Sequence, residues 1–212
     1  MPLKKSAGNM YDWVTHTHSH LGGECPHRCV YCYVQKNRFG VSPRYLGDIR
    51  AIEKEFLVNY GEGNEIFIEH MNDLFAKGVP DSIIKRILDH CIKYPKNKYI
   101  FQTKNPGRIT ESTLDFPSNI MVGTTIETNR NMSAISQAPN PIDRCEGIKS
   151  VQNICEVFIT IEPILDFDVK EFSQMIINAD PSFINIGADS KGCGLPEPSG
   201  VKVIGFIKAL QD

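Results

Sequence analysis

A chain of 212 residues, 41% apolar with a single Trp, is long enough for one sizeable core and slightly short of a full eight-fold barrel, so one domain over residues 1–212 is expected. Twenty-three Lys and Arg against 25 Asp and Glu leave the chain near neutral, which excludes a global field advertising a polyanionic partner and leaves nucleic acid only a local patch. The opening MPLKKSAGNMYDW has no apolar h-region, and no run approaches the roughly 18 apolar residues of a membrane span, so a cytoplasmic protein with no membrane partner is expected.

Apolar, often β-branched runs alternate along the chain with helix-period segments. A first strand at Asp12–Thr17 leads into HTHSHLGGECPHRC, and a helix is expected over 49–60. Glu65–Glu69 forms the second strand, ends in EHMND, and is followed by a helix over 80–94. Lys98–Thr103 ends in TKNPGR, with a helix over 106–114. Asn119–Thr125 ends in TIETNR, with a helix over 141–151. Glu156–Ile161 ends in EPILD, with a helix over 169–179. Ser182–Gly187 ends in ADSKGCG, before a terminal helix over 199–212. Several of these helices open on a Pro or an Asp or Ser, as helix starts should. Six strands with helices between them make an α/β chain with a parallel sheet. Ligand sites of such sheets lie beyond the carboxyl ends of the strands, where this chain collects charge and hydroxyls after every strand.

Seven cysteines, an odd number with Cys25, Cys29 and Cys32 crowded into eight positions, fit thiols that bind metal or do chemistry better than a disulfide framework. A structural zinc site shows four ligands, normally as two pairs; here the pair is not repeated, and His16, His18, His20 or His27 would have to supply the fourth. The three histidines at alternate positions in HTHSH would share one face of an extended segment, lining the mouth of the sheet or bonding to a cluster, with simple packing or capping the commoner role for His18 or His20 taken singly. An iron-sulfur cluster with three thiolates and one open iron fits the spacing directly.

C-x3-C-x2-C in a loop after the first strand, with Tyr31 just before the third cysteine, resembles the signature of the radical S-adenosylmethionine superfamily. The resemblance implies a single-domain partial (β/α)6 barrel of parallel strands, TIM-barrel-like, with a 4Fe-4S cluster on Cys25, Cys29 and Cys32. S-adenosylmethionine would chelate the fourth iron and be cleaved reductively to a 5'-deoxyadenosyl radical that takes hydrogen from a substrate. LGGECPHRCVYCYVQ, FQTKNPGRI, VGTTIETNR and FITIEPILDFD resemble, in order, the spore photoproduct lyase-like group and short phage-encoded radical enzymes, over about residues 12 to 200. By that likeness Tyr31 offers a flat face to the adenine, Thr103 and Lys104 place a cation near the methionine carboxylate, and Thr125 and Glu127 approach the ribose. The Gly-Gly-Glu expected after the second strand, which binds the cofactor amino group, is absent; EHMNDLF leaves that role to Glu69, Asn72 or Asp73.

Among the remaining cysteines, Cys91, Cys145 and Cys155 read as structural residues. Cys193, between two glycines in the loop after the last strand, is placed over the mouth, where its thiol would return a hydrogen atom as a loop cysteine does in spore photoproduct lyase. The resemblance favours an enzyme of nucleotide or DNA modification, rearrangement or repair acting on a nucleobase, supplied with electrons by a flavodoxin or ferredoxin type donor and working as a monomer. A radical enzyme acting on a peptide or small metabolite is the alternative, and a zinc-binding interaction module stands outside this chemistry. Arg28, Lys36, Arg38, Arg44, Lys104, Arg108 and Arg130 are the residues from which a local basic rim would be built.

Overall fold

In the computed structural model, which describes residues 3–8, 10–37 and 39–211, the six expected parallel strands are β2 (His16–His18), β5 (Glu65–Ile68), β6 (Lys98–Gln102), β7 (Ile120–Thr125), β8 (Glu156–Ile161) and β9 (Ile184–Ile186). They lie side by side in chain order. An antiparallel edge strand β1 (Lys4–Lys5) on β2 completes a seven-stranded sheet of order β1-β2-β5-β6-β7-β8-β9. Helices α1 (Asp81–Ile92), α2 (Gly107–Glu111), α3 (Pro141–Val151) and α4 (Val169–Ala179) form the crossovers, and α5 (Gly200–Gln211) follows the last strand. β9 pairs only with β8 among the described residues, so the sheet is an open, partial barrel.

Side chains alternate across each strand and sort into two cores. Outward, Ile66, Ile68, Tyr99, Phe101, Val122, Val157 and Ile159 pack with Ile84, Leu88, Ile148, Phe172 and Ile176 of the helices. Inward, Phe67, Ile100, Met121 and Phe158 fill the bottom of the barrel, closed from below by Tyr11, Trp13 and Val14. At Gly123 on this inner face, an added Cβ would stand 2.2 Å from the Phe158 ring, so the large ring on one strand requires the missing side chain on the next.

The sequence reading departs from the structure in two places. Residues 12–15, expected in the first strand, are part of the plug below the barrel, and β2 begins at His16. The helix expected over 49–60 is absent: β4 (Arg50–Ala51) pairs antiparallel with β3 (Leu21–Gly22), and a 3-10 turn follows at Glu53–Leu57. Val58 and Tyr60 are then buried on either side of exposed Asn59, a period of two that overrides the helical pattern. Among the described residues no helix is long and apolar enough to cross a membrane.

Candidate functional site

The cysteine loop leaves β3 at the carboxyl end of the barrel and is pinned as it starts. Gly23, at φ 94°, passes so close to the Asp48 carbonyl that a Cβ would stand 2.2 Å from it, and Gly23 N–H and Glu24 N–H donate to Arg44 O and Gly47 O at 2.8 Å each. Turns then bring Arg28 N–H onto Cys25 O (3.2 Å) and Cys32 N–H onto Cys29 O (3.0 Å). The result is one recess lined by Gly23, Cys25, Cys29, Cys32, Tyr45 and Met71. Cys29 Sγ lies 3.1 Å from Ser136 Oγ. Burial, with Asp73 and the thiols of Cys29 and Cys32 adding to it, pushes the Cys25 thiol up to about 12.

The histidines are elsewhere. His18 and His20 face the outer side of the sheet in an aromatic cluster with Phe56, Tyr60 and His90, and His16 contacts Thr15. His27 is bound to Asp73, Nε2 to Oδ2 at 2.8 Å. Of the alternatives for 16, 18 and 20, packing is what His18 and His20 do, and lining the mouth is corrected: strand alternation aims His16 and His18 outward, where β2 pairs with Ile66 and Ile68 of β5. Among the described residues no three His, Cys, Asp or Glu side chains gather around one metal-ion position.

Beside the thiols, residues from three strand ends converge. Glu127, after β7, is fully buried; Tyr31 donates its hydroxyl to one carboxylate oxygen, and Lys104 Nζ stands 3.9 Å from the same atom. The other oxygen receives Arg144 Nη1 from α3 at 2.8 Å. Lys104 Nζ also lies 5.4 Å from the centre of the Tyr31 ring. Burial, then Glu127, holds the Tyr31 phenol well above its usual range. Arg144 was not singled out in the sequence. It is fully buried, donates to Pro139 O, Thr125 O and Glu127, and has no partner for Nη2 among the described residues.

The three candidates for the amino-group role are all engaged. Glu69, at a left-handed φ of 60°, takes Leu21 N–H on Oε2 (3.2 Å) and His20 Nδ1 and N–H on Oε1. Asn72 Nδ2 donates to Gly23 O at 3.0 Å. Asp73 accepts His27 Nε2 and Lys104 N–H (2.7 Å) on one oxygen, and Thr103 Oγ1 (2.7 Å) and Phe75 N–H (3.0 Å) on the other. Burial raises its pKa, but His27 and these hydrogen bonds outweigh it and leave Asp73 below the usual carboxylate range. Asp73 thus ties the cysteine loop to the end of β6.

Below the mouth lies a polar floor. Thr160 and Tyr11 hydroxyls meet at 2.6 Å, Tyr11 donates to Gln102 Oε1 at 2.9 Å, and Gln102 Nε2 donates to Thr125 Oγ1 at 3.1 Å. Above, half-buried Cys193 packs with Leu195 against the group formed by Cys29, Tyr31, Met132 and Leu165. Its N–H bonds to Asp189, and desolvation followed by Asp189 holds its thiol above the usual range. Most of the residues named for a basic rim are paired: Arg28 with Glu24, Arg44 with Glu55, Arg108 with Asp81 and Arg130 with Asp166 and Asp168, and Lys104 stands 3.9 Å from Glu127. Lys36 is exposed, and Arg38 lies outside the described residues.

The family described as Protein of unknown function (DUF5131) matches residues 12–178. The chain belongs to this family. No curated protein matches this DUF5131 member. Its fold is that of solved structures of spore photoproduct lyase. A cysteine-to-serine variant superposes with a TM-score of 0.61 at 14% identity, covering 87% of this chain and 58% of that one. A double variant with bound AdoMet and dinucleoside spore photoproduct gives 0.61 at 12% identity, covering 100% and 66%. The lyase complexed with dinucleoside spore photoproduct gives 0.60 at 14% identity, covering 87% and 58%. The chain thus spans 58–66% of the length of these enzymes.

Proposed function

We propose that this DUF5131 protein is a radical S-adenosylmethionine enzyme that carries a 4Fe-4S cluster on Cys25, Cys29 and Cys32 and acts on a nucleobase, in a nucleotide or in DNA. The observation that carries the reading is the placement of three thiols of one short loop around a single recess at the carboxyl mouth of the six parallel strands of the open barrel. The donor set fits the group. Thiolates of a cluster bind separate irons and need not point at one ion, and three of them in one short loop match that demand. When bound, the cluster supplies one electron to the sulfonium of S-adenosylmethionine, whose cleavage gives a 5'-deoxyadenosyl radical.

The chain's own residues would hold and orient. Lys104 and the Tyr31 ring present a cation and a flat face beside the thiols, and Thr125, whose oxygen accepts from Gln102, keeps its own O–H to donate into the mouth. Cys193, held in the thiol form, keeps a hydrogen over the same opening. Lyase structures with bound AdoMet and dinucleoside spore photoproduct support a nucleotide substrate for this shared fold. A one-electron donor of flavodoxin or ferredoxin type would serve a monomeric protein.

Anaerobic reconstitution tests the reading. The protein should take up four irons with a brown chromophore and cleave S-adenosylmethionine, and replacing Cys25, Cys29 and Cys32 together by Ala should abolish both. A triple variant that still binds a full complement of iron would sink the assignment. Label passing into 5'-deoxyadenosine from a peptide or a non-nucleotide metabolite, and from no nucleobase, would overturn the substrate class.

A further inference from the structure

On the inner face of the last two strands, the Asn185 Nδ2 donor and the Glu162 carboxylate have no hydrogen-bond partner among the described residues. Thr160 of β8 stands opposite Asn185 of β9, and Ile161 opposite Ile186. Continuing the register, Gly187 N–H donates to Ile161 O at 3.0 Å and sets Gly187 beside Glu162. Thr160 faces inward, where its hydroxyl meets Tyr11, so strand alternation places Glu162, Asn185 and Gly187 on that same face.

Asn185 Nδ2 is buried and donates to nothing among the described residues. A buried amide donor left unmade costs about 1–3 kcal/mol, a cost that a ligand acceptor removes. Glu162 has no hydrogen-bond or ion-pair partner among the described residues and is exposed at the mouth. Its position is set by what is missing at 187. A Cβ there would stand 2.9 Å from Glu162 Cδ and 3.2 Å from Oε2, so the glycine lets the carboxylate lie across the end of β9.

A carboxylate can only accept, and the amide offers an N–H next to it. Side chains of neighbouring strands one pleat apart are close enough to engage adjacent atoms of one planar group. We infer that Glu162 and Asn185 form a subsite for the Watson–Crick edge of an unpaired nucleobase, Glu162 accepting the base N–H and Asn185 donating to the acceptor beside it. The inference rests on the nucleobase reading above and sharpens it. A base engaged in a duplex has that edge occupied, so the substrate must be a free nucleotide, a single strand or an extruded base. It also gives the two residues a selectivity role separate from the cofactor group of Tyr31, Lys104 and Glu127, which lies at the ends of other strands.

The test is calorimetric titration of the protein, with and without reconstituted cluster and S-adenosylmethionine, against thymidine and N3-methylthymidine, and against deoxyadenosine and N6,N6-dimethyldeoxyadenosine. Each methylated nucleoside lacks the N–H that Glu162 would accept, so the discrimination is read without altering the protein. At least one parent nucleoside should bind, and its methylated form at least tenfold more weakly. Glu162→Ala and Asn185→Ala, checked for native circular dichroism, should bring parent and methylated forms within twofold of each other. Equal affinity of the two forms for the wild type, or no nucleoside binding in either state, overturns the subsite even if the cluster forms and S-adenosylmethionine is cleaved. Loss of the cluster alone, with the N–H discrimination intact, would instead defeat the radical-enzyme reading and leave the subsite standing.

Discussion

Truncating Arg144 would strand a fully buried carboxylate. Glu127 is 0% exposed, as is Arg144, and the guanidinium is the only cation within 3 Å of it among the described residues. Breaking such a pair from one side costs about 3–5 kcal/mol, because the remaining charge stays desolvated. Arg144→Ala should therefore lower unfolding free energy in urea by about that much, while the double change Arg144→Met with Glu127→Leu should cost less than the single one. Equal costs would mean that packing, and not the charge, makes Arg144 matter. The sequence carried a weak sign of it: Pro141, Arg144, Ile148 and Val151 share the buried face of α3, so the arginine sits where a core residue belongs. Without the fold, a charge in PIDRCEGIKSV reads as solvated. Glu127 was legible because its neighbours form a motif; its partner has none.

Glu69 gives a second test at this scale. Burial raises its carboxyl to about 7, and burial pushes neighbouring His20 down to about 3. For Glu69 the native state holds its proton more tightly than the unfolded chain. Its contribution is fully present below the unfolded value near 4.5 and is lost as pH rises through about 7. Measured against Glu69→Gln, the wild type should lose stability as pH rises from about 4.5 to about 7, at a slope approaching ~1.4 kcal/mol per unit inside that window and levelling off above it. His20 acts in the opposite sense: its contribution is present above about 6.5 and lost as pH falls toward 3, so it cannot mimic a loss with rising pH, and it is common to the wild type and Glu69→Gln. A difference that stays flat from pH 4.5 to 7 would show Glu69 ionising in the fold as it does in the unfolded chain.

At the level of elements, the parallel strands and most helices were legible because each is a run of one period bounded by Pro, Gly or Asp. Helices α3 and α4 fall on 141–151 and 169–179 as read, whereas 49–60 does not form a helix. There the deciding term is non-local: Arg50 and Ala51 find their partners in Leu21 and Gly22, some 30 residues back, and no window of local sequence contains both. Non-local terms also act at Asp73, legible as a candidate ligand of the cofactor and engaged in joining elements. Its four hydrogen bonds bind the cysteine loop through His27 to the end of β6 through Thr103 and Lys104. Asp73→Ala should leave the strands intact in far-ultraviolet circular dichroism and reduce iron retained after reconstitution by at least half. Full iron with lost S-adenosylmethionine binding would return Asp73 to the cofactor.

Over the whole molecule, the barrel is open along β9 and closed at its base by the segment before β2, and the site rests on that closure. Trp13 stacks on Tyr11 (5.3 Å between centres, 1° between planes) and meets Phe158 and Phe183 edge-on at 5.9 and 5.8 Å. Tyr11 in turn holds Gln102 and Thr160, the floor beneath the mouth, and burial pushes its phenol up to about 12, so it stays a neutral donor there. Two forces could fix this plug, ring packing below or hydrogen bonds above. Removing a buried Trp costs about 3–5 kcal/mol, and Trp13 is only part-buried, so Trp13→Ala should cost about 2–3 kcal/mol. Tyr11→Phe keeps the stack and deletes one hydroxyl shared by two partners, for about 1–2 kcal/mol. If ring packing holds the base, Trp13→Ala unfolds at lower urea than Tyr11→Phe. In that case only Tyr11→Phe should weaken ligand binding at the mouth by more than its loss of stability explains. The reverse order of midpoints would mean that the polar floor anchors the segment and that the aromatic stack merely covers it.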